Sequence, residues 1–508
     1  MSGRELARFE QASPIRTRLL LTGFIFALYV GFATRTFYWD GVLFSLYIEK
    51  FSAGEFSKGV LFHPNHLFYN AVGYLLYRGA TALGFHGRAI SVLQGLNIAA
   101  SIVTASLVFA FAQRITQSRK IALFCLALFA FGATWWKFST DANSYIVSVL
   151  FSTLAINLLL KEPPRILSSA ICYVIAMMFH QLAVFLCVPA VCAIAWFNEW
   201  PRIKRIWTSA AYLAGSAAAI LMAYWLAYSQ VDHASAPTLV SWILTRSMDW
   251  RAGHSLPGLV ATYFASYVKL FLGGRWTLLQ NYLSLPVYLG FALCLITLAT
   301  AAVLFRRPKP QSATIAGKRT RIVLWAWIIV YAIFLAWWEP GAAFHKLYLW
   351  PPVVLLIGVW IARKSGRLER VNAFLALTAA VAAWNFSAYV FPHAHSSADP
   401  VLMFAQTLDR QLPPRTTVYY SNLDSDDWYL EYFAPGRKWS PLPPHPDGGW
   451  MRRTVSTSPV PVCFETSALD RLNSAGLLSK GADWGLGAVQ RWSLVNKQHR
   501  IRFECLSP

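Results

Sequence analysis

About eleven apolar runs alternate with short polar loops between Leu19 and Val390, and this alternation decides what the chain can fold into. Roughly 20 apolar residues of helix match the hydrocarbon thickness of a bilayer. Inside that layer only helices or closed barrels leave no backbone group unpaired. With 56% hydrophobic and only 13% charged residues in 508, the sequence excludes an ordinary soluble domain. The expectation is a mainly α, polytopic helical membrane protein.

The formal net charge of +22 does not point to nucleic acid, because it is unevenly placed. Residues 1–391 hold 33 of the 45 Lys and Arg, whereas residues 392–508 hold 12 against 11 Asp and Glu. The surplus flanks apolar runs, which is the positive-inside pattern that orients spans. Arg4, Arg8, Arg16 and Arg18 put the amino terminus inside. The first run, Leu19 to Phe37, ends in TRTFYWD without a small-residue cleavage site and reads as a retained anchor.

The stretch from Tyr38 to Arg88 then decides every later orientation. From His66 to Arg78 there is only about 18 Å of helix, against the roughly 30 Å a span needs. The segment His66 to Leu83 is therefore expected to lie on the outer surface, as an amphipathic helix opened by Pro64. Spans then follow at Ala89–Phe111, Ile121–Trp136 and Tyr145–Leu160, a hairpin at Ile166–Trp196, and further spans at Trp207–Tyr228, Tyr282–Phe305, Val323–Trp338, Leu347–Ala362 and Val371–Val390. Val231–Asn281 reads as a long outer segment. This arrangement puts 22 Lys and Arg inside and 11 outside, with the carboxyl terminus outside a cell (inner) membrane.

Residues 1–391 are thus expected to form a transmembrane module, and residues 392–508 a small extracytoplasmic α/β domain. In the latter, Val401–Leu412 and Asp426–Phe433 read as helices, and Thr416–Tyr420, Val460–Phe464 and His499–Glu504 as strands. Pro461 demotes the second of these strands to an edge. Cys463 and Cys505 are the only cysteines of this polar tail, and in an oxidising compartment they are expected to form a disulfide. The other five cysteines lie in apolar runs without metal-ligand spacing.

Four sets of polar residues collect in the outer loops. The first is Asp40, Glu49, His63 and His66, and the second is Lys137 with Asp141, Asn143 and Tyr145. His180-Gln181 at the hairpin tip is the third, and Glu339, His345 and Lys346 form the fourth. Arg275 adds a cation in the long outer segment. Each set has a bland alternative: Asp40 can cap the helix that follows it, and Lys137 and Asp141 can simply pair at four-residue spacing. Ionisable groups at the edge of hydrocarbon are nonetheless costly, so four sets on one face of the membrane point to a site. His63, His66 and Asp40 could ligate a divalent ion, but no H-E-x-x-H pattern accompanies them, and no cofactor is required.

The Asp after the first span, the HPNHLFYN stretch, the basic loop after the next span and the segment WWKFSTDANSYIVSVLFSTLAI together resemble the GT-C superfamily of membrane glycosyltransferases. The nearest resemblance is to bacterial relatives of protein O-mannosyltransferases, over roughly Tyr38 to Trp196. The chain departs from that pattern in having His66 where Gly is usual and Asp141-Ala142-Asn143 near the usual Ala-Glu-Val. The resemblance implies inverting transfer of a sugar from a polyprenyl phosphate to an acceptor at the outer face. It makes Asp40 the base and gives His63 and His66 the task of orienting it or binding the donor phosphate. Lys137, Arg275, His345 or Lys346 would then stabilise the departing phosphate, with Glu49, Asp141 and Glu339 as further substrate-binding candidates. The competing reading is a transporter or flippase of lipid-linked saccharide.

Overall fold

A computed structural model of the protein describes residues 14–232, 237–244, 255–305, 317–364, 368–412, 414–421, 426–477, 491–496 and 501–506. Arg4, Arg8, Asp249 and residues 306–316 of the basic loop lie outside them. The chain is mainly helical, with one small sheet. It divides into two compact units: residues up to Thr34 with Tyr47–Ala394, and Arg35–Leu46 with the chain from His395 onward.

In the first unit, six helices among the described residues are long and apolar enough to cross a membrane: Ala89–Thr116, Arg202–Tyr228, Leu285–Phe305, Lys318–Trp338, His345–Arg363 and Val371–His393. Two bent pairs, Arg119–Phe131 with Ala133–Ser139 and Leu256–Phe271 with Trp276–Tyr282, raise the number to eight if each is one span. Four shorter apolar helices are Thr17–Gly31, Tyr145–Leu159, Ile166–Phe179 and Gln181–Ala195. The expected apolar runs all fall on these elements, while the second bent pair falls in the stretch expected to lie outside.

Two boundaries differ from expectation. The first helix, Pro14–Gly31, stops short of Phe37, and the polar Thr34-Arg35-Thr36 that follows belongs to the turn where the chain passes to the second unit. Pro64 opens only a 3₁₀ turn, Pro64–His66, and the α-helix begins at Tyr69 and runs to Ala82. In that helix Tyr69, Asn70 and Gly73 face inward while Leu75 and Leu76 are exposed.

The bends of the two broken helices share one seam. A helix that ends in an apolar interior leaves its last carbonyls without partners, and each must be satisfied from elsewhere. At the end of Arg119–Phe131 the Gly132 N–H donates to Leu128. The next three carbonyls accept from three side chains: Phe129 from Trp350 Nε1 at 2.9 Å, Ala130 from the Tyr29 hydroxyl at 2.6 Å, and Phe131 from Asn385 Nδ2 at 2.8 Å. At the end of Leu256–Phe271, Lys269 accepts from the Thr134 hydroxyl at 2.6 Å, and Phe271 from Asn385 Nδ2 at 2.6 Å. The seam is tight. A Cβ on Gly132 would meet the Trp350 ring at 2.5 Å, and one on Gly273 the Tyr389 ring at 2.6 Å.

The second unit carries a five-stranded mixed sheet. Its strands are β1 (Thr417–Tyr420), β2 (Lys438–Pro441), β3 (Val462–Glu465), β4 (Arg491–Asn496) and β5 (Ile501–Leu506), in the order β2-β1-β3-β5-β4. β1 pairs in parallel with β2 and β3, and β5 pairs antiparallel with β3 and β4. The edge placement expected for the second strand is corrected: β3 is central and fully buried. Pro461 precedes its first residue, so no ladder bond is lost. Cys463 and Cys505 face each other in the β3–β5 register, Cα atoms 4.0 Å apart, and are disulfide-bonded. Helices Pro400–Gln411 and Asp426–Phe433 pack on one cluster with Val418 and this cystine. Helices Gly448–Ser456 and Thr466–Ser474 pack on another with Val462 and Phe464.

Candidate functional site

The second expected polar set is built into a buried turn. Lys137 Nζ lies 2.6 Å from Asp141 Oδ2, with the Asp141 side chain fully buried. The other carboxylate oxygen accepts from the Ala142 N–H at 2.8 Å. Asn143 Nδ2 donates to the Phe138 carbonyl, and Asn143 Oδ1 accepts from the Tyr145 N–H, so Asn143 starts the helix Tyr145–Leu159. From the helix Ala89–Thr116, Asn97 donates to the Asp141 and Asn143 carbonyls at 2.6 and 2.8 Å. Gln94 on the same face donates to the Thr34 and Thr140 carbonyls. This inward stripe of Gln94, Asn97, Ser101 and Thr104 was readable as polar residues at helical spacing within an apolar run, and sequence reasoning missed it.

The third and fourth sets meet the same turn. The Tyr145 hydroxyl lies 3.1 Å from His345 Nε2, and His345 Nδ1 lies 2.6 Å from Glu339 Oε2. The carboxylate stands beside one ring nitrogen and the phenol beside the other. Trp338 stacks on the imidazole with ring centroids 4.9 Å apart, and His180 lies 4.6 Å from the Tyr145 ring. Lys346 is bonded within its own turn. Its buried ammonium donates to the Pro340 carbonyl at 2.8 Å and sits over the rings of Tyr263 and Tyr267.

A cationic cluster joins Lys137 to a residue far along the chain. Lys137 and the exposed Arg275 lie close enough to Tyr389 and His393 to act on them electrostatically, and Asp141, paired with Lys137, also acts on Tyr389. His393 Nδ1 donates to the Tyr389 carbonyl at 2.7 Å, and the His393 carbonyl accepts from the Thr34 hydroxyl at 3.3 Å. Tyr389 lies in a π-helical turn, Phe386–Val390, that follows the helix Leu368–Asn385. Neither Tyr389 nor His393 was expected from the sequence. Two cations beside a phenol and an imidazole can bind an anion without a metal.

The first expected set is divided. Glu49 accepts from Arg88 Nε at 3.0 and 2.9 Å through its two oxygens and from the Ala89 N–H at 2.7 Å. It thereby caps the helix Ala89–Thr116. His63 and His66 have ring centroids 4.4 Å apart. His63 Nδ1 accepts from the Asn65 N–H at 3.2 Å, as His180 Nδ1 does from Leu182 at 3.1 Å. Each ring so fixed carries its hydrogen on Nε2. Burial pushes the His63 imidazole down to about 4. Burial, then the neighbouring His63 and His180, hold His66 well below the usual histidine range. These rings are neutral hydrogen-bonding groups at pH 7.

Asp40 belongs to the second unit. It stands, partly exposed, in the first turn of the helix Trp39–Ser52. The segment before it is anchored within that unit. The Phe37 carbonyl accepts from the Tyr429 hydroxyl at 2.5 Å, and the Phe37 ring stacks on Phe433 at 5.6 Å. No group of three or more His, Cys, Asp and Glu among the described residues is arranged to hold a metal ion.

No protein-family model matches the sequence, and no curated protein does. Solved structures do. The chain is similar to ArnT from Cupriavidus metallidurans in the apo state, with a TM-score of 0.63 at 10% identity. It is similar to the same protein bound to undecaprenyl phosphate, with a TM-score of 0.61 at 10% identity. In both comparisons 97% of this chain and 97% of the other are covered. The chain has the fold of these structures.

Proposed function

We propose that the protein is a multi-pass membrane glycosyltransferase that moves a sugar from a polyprenyl-phosphate donor to an acceptor. The observation that carries this reading is the cluster of Lys137, Arg275, Tyr389 and His393 in a fold shared, over almost its whole length, with a structure bound to undecaprenyl phosphate. Lys137 and Arg275 hold the donor phosphate, and His393 and Tyr389 complete its shell. As the anomeric carbon–oxygen bond breaks, the lipid phosphate takes the electron pair and a second negative charge, which the two cations stabilise.

Asp40 accepts the proton of the acceptor hydroxyl as that oxygen attacks the anomeric carbon from the opposite side, so the configuration inverts. The backbone three residues before it is anchored by the Tyr429 hydroxyl on the Phe37 carbonyl. Asp141 keeps Lys137 oriented, and Glu339 does the same for His345. His63 and His66 serve as neutral donors to the sugar or phosphate. The eleven apolar runs are crossings with the amino terminus inside, and the sheet-bearing unit works on the outer face of a cell membrane.

Purified full-length protein in lipid nanodiscs, incubated with a panel of polyprenyl-phosphate sugars, is expected to release lipid phosphate from one of them in the presence of acceptor. A protein that binds undecaprenyl phosphate and moves labelled lipid-linked sugar between leaflets, yet releases no lipid phosphate with any donor, would be a flippase instead.

A further inference from the structure

We infer that Asn385 is the positioning residue of the anion cluster, an assignment that rests on the reading of that cluster as the donor-phosphate site. Lys137 stands on Ala133–Ser139, the short arm beyond the break at Gly132. Arg275 stands just beyond the break that ends Leu256–Phe271. Tyr389 and His393 stand beyond Asn385, on the π-turn and the residues after it. Each of the three carriers follows the end of a regular helix.

One side chain joins the three departures. The fully buried Asn385 carboxamide donates one hydrogen to the last carbonyl of the first broken helix, Phe131, and the other to the last carbonyl of the second, Phe271. Its oxygen accepts from the Gly273 N–H at 3.0 Å. The neighbouring Trp384 Nε1 donates to the Gly273 carbonyl at 3.0 Å. Every conventional donor of the amide is therefore spent on backbone that helix breaks have released. Packing reinforces the register: a Cβ on Gly274, which adopts φ +133°, would meet Ala388 at 3.1 Å, and one on Gly273 would meet both Tyr389 and Ala133. The turn carrying Arg275 is thus pressed against the turn carrying Tyr389 and the start of the arm carrying Lys137.

A π-turn inside an apolar helix also has a cost, and such turns recur where a side chain must be re-aimed. Here the extra residue per turn begins directly after Asn385, so the amide holds the straight part of the helix while Tyr389 and His393 are rotated toward the cations. Asn385 does not itself contact a substrate group. It fixes the relative placement of those that do.

The test compares Asn385→Leu and Asn385→Ser with Thr134→Val in full-length protein in nanodiscs. Undecaprenyl phosphate is the binding probe and thermal unfolding the control. Asn385→Leu keeps the branched shape and removes all three hydrogen bonds, whereas Thr134→Val removes the single bond between the arm carrying Lys137 and the helix Leu256–Phe271 and leaves every Asn385 bond in place. The expected result is at least a tenfold weaker Kd for undecaprenyl phosphate in Asn385→Leu, a smaller loss in Asn385→Ser, and no more than a twofold change in Thr134→Val. Should Asn385→Leu fail to fold, Asn385→Ser decides, with a threefold loss as the threshold. A folded Asn385 variant that binds like wild type overturns the positioning role alone. Wild-type protein that does not bind undecaprenyl phosphate overturns both this role and the proposed function.

Discussion

The Tyr429 hydroxyl donates a 2.5 Å hydrogen bond to the Phe37 carbonyl, so an aromatic residue of the carboxyl-terminal region holds the backbone that leads to Asp40. A neutral hydrogen bond of this kind is worth about 1 kcal/mol. Tyr429→Phe is therefore expected to lower turnover about 2- to 10-fold while the Kd for undecaprenyl phosphate stays within twofold. A variant with unchanged turnover would free Asp40 from this anchor.

Asp40→Asn preserves size and removes the proton acceptor. General base catalysis is typically worth about 100-fold to 10,000-fold, and turnover should fall by that amount with donor binding retained. Near wild-type transfer by the folded variant would shift the base to another carboxylate, with Asp141 and Glu339 the next to test.

Lys137 and Asp141 should behave as a unit. Removing one member of a buried pair leaves an uncompensated charge and typically costs about 3 to 5 kcal/mol, more than removing both. Lys137→Met alone should destabilise the protein more than Lys137→Met with Asp141→Leu, and both should weaken undecaprenyl phosphate binding. Additive losses of stability in the double-mutant cycle would mean that the two side chains do not depend on one another.

The pH dependence has a definite sign. His63 is pushed down to about 4 in the folded protein by burial, against about 6.5 unfolded. Between those values the unfolded chain binds the extra proton, so stability is complete above pH 6.5 and declines as pH falls toward 4. His66 is displaced in the same direction and adds to the decline. His63→Gln should flatten the slope of unfolding midpoint against pH over that window by about one proton's worth. An unchanged slope would remove His63 from the account.

The Cys463–Cys505 cystine closes a loop with a sequence separation of 42. The chain-entropy estimate makes it worth roughly 3 to 4 kcal/mol. Cys463→Ala with Cys505→Ala should lower the unfolding midpoint of the sheet-bearing unit without changing undecaprenyl phosphate affinity. Equal stability with and without a reducing agent would contradict this.

What could be read from the sequence follows from how local the cause is. Apolar runs announce helices because hydropathy is summed over neighbours, and the helix Asp426–Phe433 and strand Thr417–Tyr420 follow from short-range pattern in the same way. Strand Lys438–Pro441 and helix Gly448–Ser456 were hidden in KWSPLPPHPDGGW, where Pro and Gly mask a pattern that tertiary pairing completes. Charge was the least reliable guide. Glu49 and Lys346 look substrate-facing in the sequence, yet one caps a helix and the other satisfies carbonyls. Tyr389 and His393 gave no signal because their importance comes from a π-turn and from cations more than a hundred positions away in the chain.

The membership of the second unit has a consequence for how the protein is made. Residues Arg35–Leu46 leave the ribosome well before the strands and helices they pack with, which begin only at His395. At about 5 to 20 residues per second, the intervening stretch of roughly 350 residues takes on the order of 20 to 70 s to synthesise. Through that interval Phe37 lacks both the hydroxyl and the ring that later hold it. The nascent chain must carry an unsatisfied aromatic segment, with Asp40 in it, until Tyr429 and Phe433 have been made.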